Sequence, residues 1–197
     1  MTEGIKGIGV SPGIVIGKVK IKKVADLQVV VKSIDNTDCE IETLKGALEK
    51  SKEQIDKIYH KTLEEIGEDE AAIFNAHLAM LNDQSFIDEV IAYLVEEKIN
   101  AEGALKKITQ NYLDLFNSLN DITLKERAVD LKDVTDRVLK NILGLEEYDF
   151  SNLKEDVIVV ADDLTPSDTA QLDKDHVLGF ITQQGGVTAH TTIMART

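Results

Sequence analysis

The chain has 197 residues, 43% of them apolar and 29% charged, which suffices for one large hydrophobic core or two small ones. The 36 acidic and 22 basic residues give a formal net charge of -14, which disfavours nucleic acid and anionic membranes as partners and favours a basic protein. No apolar run could span a membrane, no signal peptide is evident, and the single cysteine, Cys39, excludes an internal disulfide, so we expect a cytoplasmic protein.

The N-terminal stretch GIKGIGVSPGIVIGKVKIKKV is rich in glycine and in β-branched residues. A turn is expected at Ser11, Pro12 and Gly13, and apolar residues alternate with others in the part that follows. The pattern predicts one or two strands around this turn.

Helical periodicity comes next. A capping-box pattern, Thr37 with Glu40, predicts the start of a long first helix that ends near Gly67. Its apolar face comprises Ile41, Leu44, Leu48, Ile55, Ile58, Leu63 and Ile66. Four further helices are predicted over residues 69–82, 85–97, 100–119 and 123–143. The last of these has a second capping box, Thr123 with Glu126, and Gly144 as its stop.

From Val157 onward the pattern is α/β. VIVVA and VLGFITQ are typical of buried strands, and TPSDTAQL between them predicts a short helix with Pro166 in its first turn. The N-terminal strands cannot form a core alone, so we expect residues 1–24 and 145–197 to make one α/β domain. The helical bundle, residues 33–144, is then an insertion, and the fold class is α+β.

The chain ends in GGVTAHTTIMART, where a strand and two glycines precede a predicted helix start. This places His190 in the first helical turn, where unpaired N–H groups and the helix dipole favour an anion. Neutral imidazole is a good nucleophile near pH 7. The glycines Gly185 and Gly186 allow close backbone approach, and hydroxyls surround the histidine at Thr188, Thr191 and Thr192. The motif predicts a transient phosphohistidine; the alternative is a structural histidine at a helix start.

GGVTAHTTIMAR resembles the phosphohistidine signature of enzymes that use phosphoenolpyruvate, including pyruvate phosphate dikinase and phosphoenolpyruvate synthase. GIGVSPGIVIGKV, DEAAIFNAHLAML, LKERAVDLKDVTDRVLKNILGL and ADDLTPSDTAQLD resemble, in this order, the N-terminal half of Enzyme I of the bacterial sugar phosphotransferase system. A dikinase is disfavoured because no Gly-rich ATP-binding segment precedes the helices. The resemblance implies a helical bundle inserted into a swivelling phosphohistidine domain.

The same resemblance implies a reaction. The phosphoryl group passes from phosphoenolpyruvate to His190 and then to a histidine of the small phosphocarrier HPr, for sugar uptake. It also implies that Thr169 hydrogen-bonds the active imidazole, whereas the alternative for Thr169 is a helix residue with a solvated hydroxyl. Val187 and Ala189 stand where arginine and serine are usual in the family, which bears on the expected rate more than on the reaction.

A docking surface for HPr is also implied, as an acidic rim around an apolar patch. Its residues are Glu68, Asp69, Ala72, His77, Met80, Asp83 and Arg127. From periodicity alone His77 is instead a core histidine, because it lies one turn after Ile73 and Phe74 on an apolar face. His60 and His176 have charged neighbours and are expected to be solvated.

No spacing typical of metal ligands is present, so we expect no metal in this chain. The family places its magnesium and phosphoenolpyruvate in a separate C-terminal barrel. The chain stops seven residues after His190, so we expect a monomeric fragment with an incomplete phosphohistidine domain. The alternative function is a helical module that only binds HPr.

Overall fold

The computed structural model describes residues 6–22, 27–119, 121–145, 150 and 153–184. The chain divides into two compact units, one formed by Met1–Ala25 with Tyr148–Thr197 and the other by Asp26–Glu147. We call the first the sheet unit and the second the helical unit.

The described elements follow one another in an α+β order. They are β1 (Lys18–Ile21), α1 (Thr37–Glu65), α2 (Glu68–Leu81), α3 (Gln84–Glu97), α4 (Ala101–Ser118), α5 (Ile122–Leu143), β2 (Val157–Ala161), α6 (Pro166–Ala170) and β3 (Val177–Thr182). The strands form a parallel sheet in the order β1, β2, β3. Because β1 precedes the helices and pairs with β2 after them, the predicted insertion of the helical block is confirmed. The N-terminal stretch contributes one strand among the described residues.

One face of the sheet forms the core of the sheet unit. It buries Val157, Val159 and Ala161 of β2 together with Phe150, Leu153 and Leu164. Leu172, Val177 and Phe180 pack against this cluster. Every second residue of β2 is buried here, as expected for side chains that alternate across a strand.

The opposite face of the sheet is apolar and exposed. Val19, Ile21 and Ile181 have exposed fractions of 61%, 59% and 60%. The register places Ile21 beside Val160 and Val160 beside Ile181, so the apolar side chains continue across all three strands. Parallel sheets are usually buried on both faces, but the described residues leave this one largely open.

The N-terminus of α1 differs from the predicted capping box. Asn36 is the N-cap, and its Oδ1 accepts a hydrogen bond from the Cys39 N–H at 3.2 Å. The prediction of Thr37 as the cap is therefore wrong by one residue, because asparagine caps helices as well as threonine does. Glu40 accepts instead from the Ala101 N–H at 2.8 Å and so caps α4 across the bundle.

The second predicted capping box, Thr123 with Glu126 at the start of α5, is wrong by two residues. Asp121 is the N-cap and accepts from the N–H groups of Thr123 at 2.8 Å and Leu124 at 3.3 Å. The predicted end of α5 is confirmed, since Gly144 adopts the left-handed conformation with φ 64°.

The helical unit has its own core, formed where α1 packs on α2 and α5 and where α4 packs on α3 and α5. Leu44, Leu48, Ile55 and Ile58 of α1 are buried as predicted. The prediction is wrong for Leu63, which is exposed, because the buried stripe continues through Thr62. None of the described helices combines the length and the hydrophobicity that a membrane span requires.

Asn100 ties the segment that precedes α1 to the start of α4. Its Nδ2 donates to the Val30 carbonyl at 2.8 Å, and its Oδ1 accepts from the Lys32 N–H at 3.0 Å. The Asn100 N–H also donates to the Lys32 carbonyl at 3.1 Å, beside a bridge between Ser33 and Ile99. Asn100 is only 4% exposed, so these hydrogen bonds are shielded from water.

Candidate functional site

The histidine motif lies outside the described residues. This applies to the predicted site residues Gly185, Gly186, Thr188, His190, Thr191 and Thr192, and to Val187 and Ala189. The structure does describe the residues that lead into the motif and the segment that carries Thr169.

The chain enters the motif at the carboxyl edge of the sheet. After β3, the Gln183 N–H donates to the Ala161 carbonyl at 3.2 Å, and the Gln184 N–H donates to the Asp162 carbonyl at 2.9 Å. Gln184 is therefore fixed beside the end of β2, where the chain turns toward α6. In open α/β sheets, ligands bind at this edge.

The short helix α6 is fixed by a capping box. Thr165 accepts from the Asp168 N–H at 3.2 Å, while Asp168 accepts from the Thr165 N–H at 2.8 Å. Pro166 occupies the first turn, as predicted. Lys22, just after β1, forms a largely buried ion pair with Asp168, so α6 is tied to the sheet.

Two hydroxyl side chains of α6 are buried, and their environments differ. The Thr169 hydroxyl is close to the carbonyl oxygens of Pro166, at 3.0 Å, and Thr165, at 3.2 Å, to which it donates. The alternative of a solvated Thr169 hydroxyl does not hold in this structure. Ser167 is 2% exposed, and its Oγ has no hydrogen-bond partner among the described residues.

The predicted docking residues of α2 fall on two sides of the helix. Glu68, Asp69 and Ala72 are exposed, and Met80 is half-buried. These four positions share the helix face opposite the core residues. The structure thus brings carboxylates and apolar side chains together on one exposed stripe.

His77 lies on the other side of α2, and the core interpretation applies to it. Its side chain is fully buried, its ring meets Phe74 edge to face, and its Nε2 lies 3.6 Å from Asp130 Oδ1 of α5. Neither ring nitrogen has a hydrogen-bond partner among the described residues. The prediction that His77 contacts a partner directly does not fit this structure, because its place in the buried i, i+3 pattern with Phe74 points it inward.

The remaining docking residues lie on neighbouring helices. Asp83 is exposed and is the N-cap of α3, where its Oδ1 accepts from the N–H groups of Ser85 and Phe86. Arg127 is exposed on α5, which packs against α2. Both side chains are accessible to a partner from solvent.

An aromatic pair packs α4 against α3 in the same unit. The Phe86 and Tyr112 rings meet edge to face with centroids 5.6 Å apart. The Tyr112 hydroxyl donates to Glu89 Oε2 at 2.8 Å, and this hydrogen bond is the largest cause of a raised Tyr112 pKa.

The other histidines differ from one another. His60 is exposed, as predicted. His176 is partly exposed and has the predicted charged neighbour, since its Nδ1 lies 3.0 Å from Asp173 Oδ2 and its side chain is 37% exposed. Burial raises the pKa of Asp173, but hydrogen bonds from His176, Asp175 N–H and Leu153 N–H together outweigh burial and leave that pKa below its usual value.

Sequence reasoning missed three residues that the structure connects to the predicted site. They are Ser167, Lys22 and Asp130. Ser167 lies two residues before Thr169 in the TPSDTAQL segment, and this closeness in sequence is the feature that could have pointed to it. The other two pair across more than fifty residues of sequence, and periodicity carries no information on such pairs. Within the described ranges, no three His, Cys, Asp or Glu side chains group to hold a metal ion.

Comparison with known families gives two matches along the chain. The N-terminal domain of PEP-utilising enzymes matches residues 6–127, and the mobile domain of PEP-utilising enzymes matches residues 153–197. The second match contains the histidine motif.

Individual relatives match over the whole chain. The phosphoenolpyruvate-protein phosphotransferase of Mycoplasma capricolum subsp. capricolum is 45% identical over 196 residues, which are 100% of this chain and 34% of the relative. That of Bacillus subtilis (strain 168) is 43% identical over 98% of this chain and 34% of its own length. The chain therefore spans about a third of the curated relatives it matches.

Two solved structures are similar in fold. A solution structure of Enzyme I is 43% identical with a TM-score of 0.82, covering 94% of this chain and 76% of that one. An N-terminal domain described as Enzyme 1 - Nitrogen is 28% identical with a TM-score of 0.69, covering 95% of this chain and 77% of that one.

Proposed function

We propose that this chain, which belongs to the family of PEP-utilising enzymes, is the N-terminal phosphotransfer module of a phosphoenolpyruvate-protein phosphotransferase. The observation that carries the proposal is the mobile-domain match over residues 153–197, which contains His190 within GGVTAHTTIMART. Identity above 40% along the whole chain to two named phosphotransferases supports it.

In this proposal His190 is the nucleophile. A ring nitrogen attacks the phosphorus of phosphoenolpyruvate, the P–O bond breaks, and the enolate of pyruvate leaves. A histidine of HPr then attacks the same phosphorus, and the P–N bond at His190 breaks as the new P–N bond forms. Gly185 and Gly186 give the backbone access to the phosphoryl oxygens, and Thr188, Thr191 and Thr192 supply hydroxyl donors.

Phosphoenolpyruvate and magnesium are assigned to the part of the longer relatives that this chain does not match. Bound magnesium would neutralise phosphoryl charge. No metal ligand set is present among the residues the structure describes, so no step is assigned to a metal here. Use of the module in sugar uptake and its cytoplasmic location belong to the same proposal.

The first experiment supplies phosphate from HPr that has itself been phosphorylated. The chain should acquire an acid-labile phosphate on His190, and His190→Gln should acquire none. Thr169→Val should be labelled more slowly, because the variant lacks the hydroxyl oxygen that accepts a hydrogen bond from the imidazole N–H in the proposed mechanism. Labelling of His190→Gln would refute the assignment, and an unlabelled wild-type chain would favour a module that only binds HPr.

The docking surface proposed for HPr comprises Glu68, Asp69, Ala72, Met80, Asp83 and Arg127. The carboxylates are exposed, so they act mainly by steering a basic carrier over about 8 Å at physiological salt. His77 is left out of the contact set because it is buried, and it serves to pack α2 against α5 through Asp130.

A double charge reversal tests this surface. Glu68→Lys with Asp69→Lys should slow HPr association and weaken its dependence on salt, while dissociation changes less. The matched control is Glu96→Lys with Glu97→Lys, which makes the same change in net charge at exposed positions of α3 outside the surface. Association should be measured by stopped flow at two salt concentrations, with circular dichroism to verify helicity. Equal slowing by both pairs would refute the proposed location.

A further inference from the structure

A polar contact joins α2 to α5 inside the helical unit. His77 of α2 is fully buried, and its Nε2 lies 3.6 Å from Oδ1 of Asp130 on α5. The Asp130 side chain is 21% exposed, so its carboxylate lies at the border between the core and solvent. The distance is somewhat longer than a hydrogen bond, and a short movement of the carboxylate would complete one.

The rest of the buried side of α2 is apolar. Ala71, Phe74 and Leu81 lie there, and the Phe74 ring meets the His77 ring with centroids 5.7 Å apart. An apolar residue at position 77 would avoid the cost of burying an imidazole, so histidine there needs a reason beyond packing. Apolar contacts hold two helices together without being directional, whereas a buried polar contact can fix their register.

Each member of the pair has a neighbour in the proposed docking surface. Met80 follows His77 by three residues on α2, and Arg127 precedes Asp130 by three residues on α5. Residues three apart are neighbours on a helix, with about 5 to 6 Å between their Cβ atoms. Met80 and Arg127 belong to different helices, so the distance between them depends on how α2 lies against α5.

We propose that His77 and Asp130 are positioning residues for the docking of HPr. Their contact sets the register of α2 against α5, and with it the spacing between Met80 and Arg127. This inference rests on the proposed function. A carrier that binds both helices needs them in one arrangement, and an arrangement fixed in advance lowers the cost of binding. The fully buried His77 acts without touching the carrier, and Asp130 acts through His77.

Four variants of the complete chain test this inference, with the affinity for HPr measured by NMR titration. His77→Phe keeps a ring but removes both nitrogens, and Asp130→Ala removes the carboxylate. Each should raise the dissociation constant about fivefold, as expected when one polar contact is lost. The double variant should bind no more weakly than either single variant, because all three lack the same contact. Asp130→Asn should bind like the wild type, since its amide keeps a hydrogen-bonding group for Nε2.

Asp136→Ala is the matched control. Asp136 also lies on α5 and is 29% exposed, but it pairs with Lys132 of the same helix, so its loss should leave the dissociation constant unchanged. Circular dichroism verifies that each variant is folded, and His77→Phe, which buries no new polar group, decides the matter if Asp130→Ala is unfolded. Wild-type affinity in folded His77→Phe would overturn the inference, as would an Asp130→Asn as weak as Asp130→Ala, which would make Asp130 a direct contact. Phosphate transfer from HPr to the wild-type chain would then leave the proposed function intact, whereas a wild-type chain that does not bind HPr would overturn both.

Discussion

The substitution Gly103→Ala should destabilise the fold only while Asn100 is present. A Cβ at Gly103 would lie 2.8 Å from Asn100 Oδ1 and 3.4 Å from the Val31 side chain. The asparagine cannot move away freely, because its side chain is hydrogen-bonded to Val30 and Lys32. Each of these two bonds contributes about 1 kcal/mol net, whereas glycine to alanine in a helix gains up to about 1 kcal/mol. Gly103→Ala should therefore lower the free energy of unfolding by about 1 kcal/mol.

In an Asn100→Ala background the sign should reverse. Without Asn100 Oδ1 the added methyl group meets no clash, so Gly103→Ala should raise the free energy of unfolding by up to about 1 kcal/mol. The expected coupling free energy between the two sites is therefore about 2 kcal/mol. Urea denaturation followed by circular dichroism at 222 nm measures all four members of the cycle. Gly46→Ala in α1 is the control, since nothing lies within 4 Å of its added Cβ, and it should stabilise in either background. Equal destabilisation by Gly103→Ala with and without Asn100 would refute this reasoning.

Three further predictions concern other interactions. Glu40→Ala should lower the free energy of unfolding by about 1 to 2 kcal/mol, measured by urea denaturation, because the charged cap on the Ala101 N–H is lost; an unchanged midpoint would contradict the inter-helix cap. Because the pKa of Asp173 is lower in the folded than in the unfolded chain, ionised Asp173 stabilises the fold at pH values above its unfolded-state pKa. This contribution is lost as the pH falls through the folded-state pKa, so Asp173→Asn should flatten the acid side of a plot of unfolding free energy against pH. The tyrosine absorbance titration should contain a late-titrating group that disappears in Tyr112→Phe and titrates earlier in Glu89→Gln, and an unchanged titration in Glu89→Gln would exclude Glu89 as the cause.

The sequence predicted the elements better than their ends. The 3.6-residue and alternating patterns identified the helices and strands, since burial of one face produces both. The capping boxes predicted at Thr37 and Thr123 are misplaced because Asn36, one residue earlier, and Asp121, two residues earlier, cap equally well. Glu40 had a partner in a distant helix, and local spacing contains no information on that contact.

The same distinction holds for the candidate site, where local spacing predicts some features and other contacts cannot be predicted from it. The inward position of His77 follows from its spacing to Phe74, and the core interpretation rested on that spacing. Ser167 could not be distinguished from Thr169 by sequence, because the difference lies in which hydroxyl the backbone engages. The role of His190 comes from motif and family, and it stays a prediction.

The attachment at Asn100 has a mechanical consequence. Residues 30–34 are bonded to the start of α4 before α1 begins, through Asn100 and the bridge between Ser33 and Ile99. Force applied to the chain before residue 27 therefore acts first on these few hydrogen bonds, which break one after another. The force reaches α1 only after they have broken. In a force-spectroscopy experiment with the handle at that position, the first extension step should be short, and Asn100→Ala should lower its force while the later rupture of the helices is unchanged.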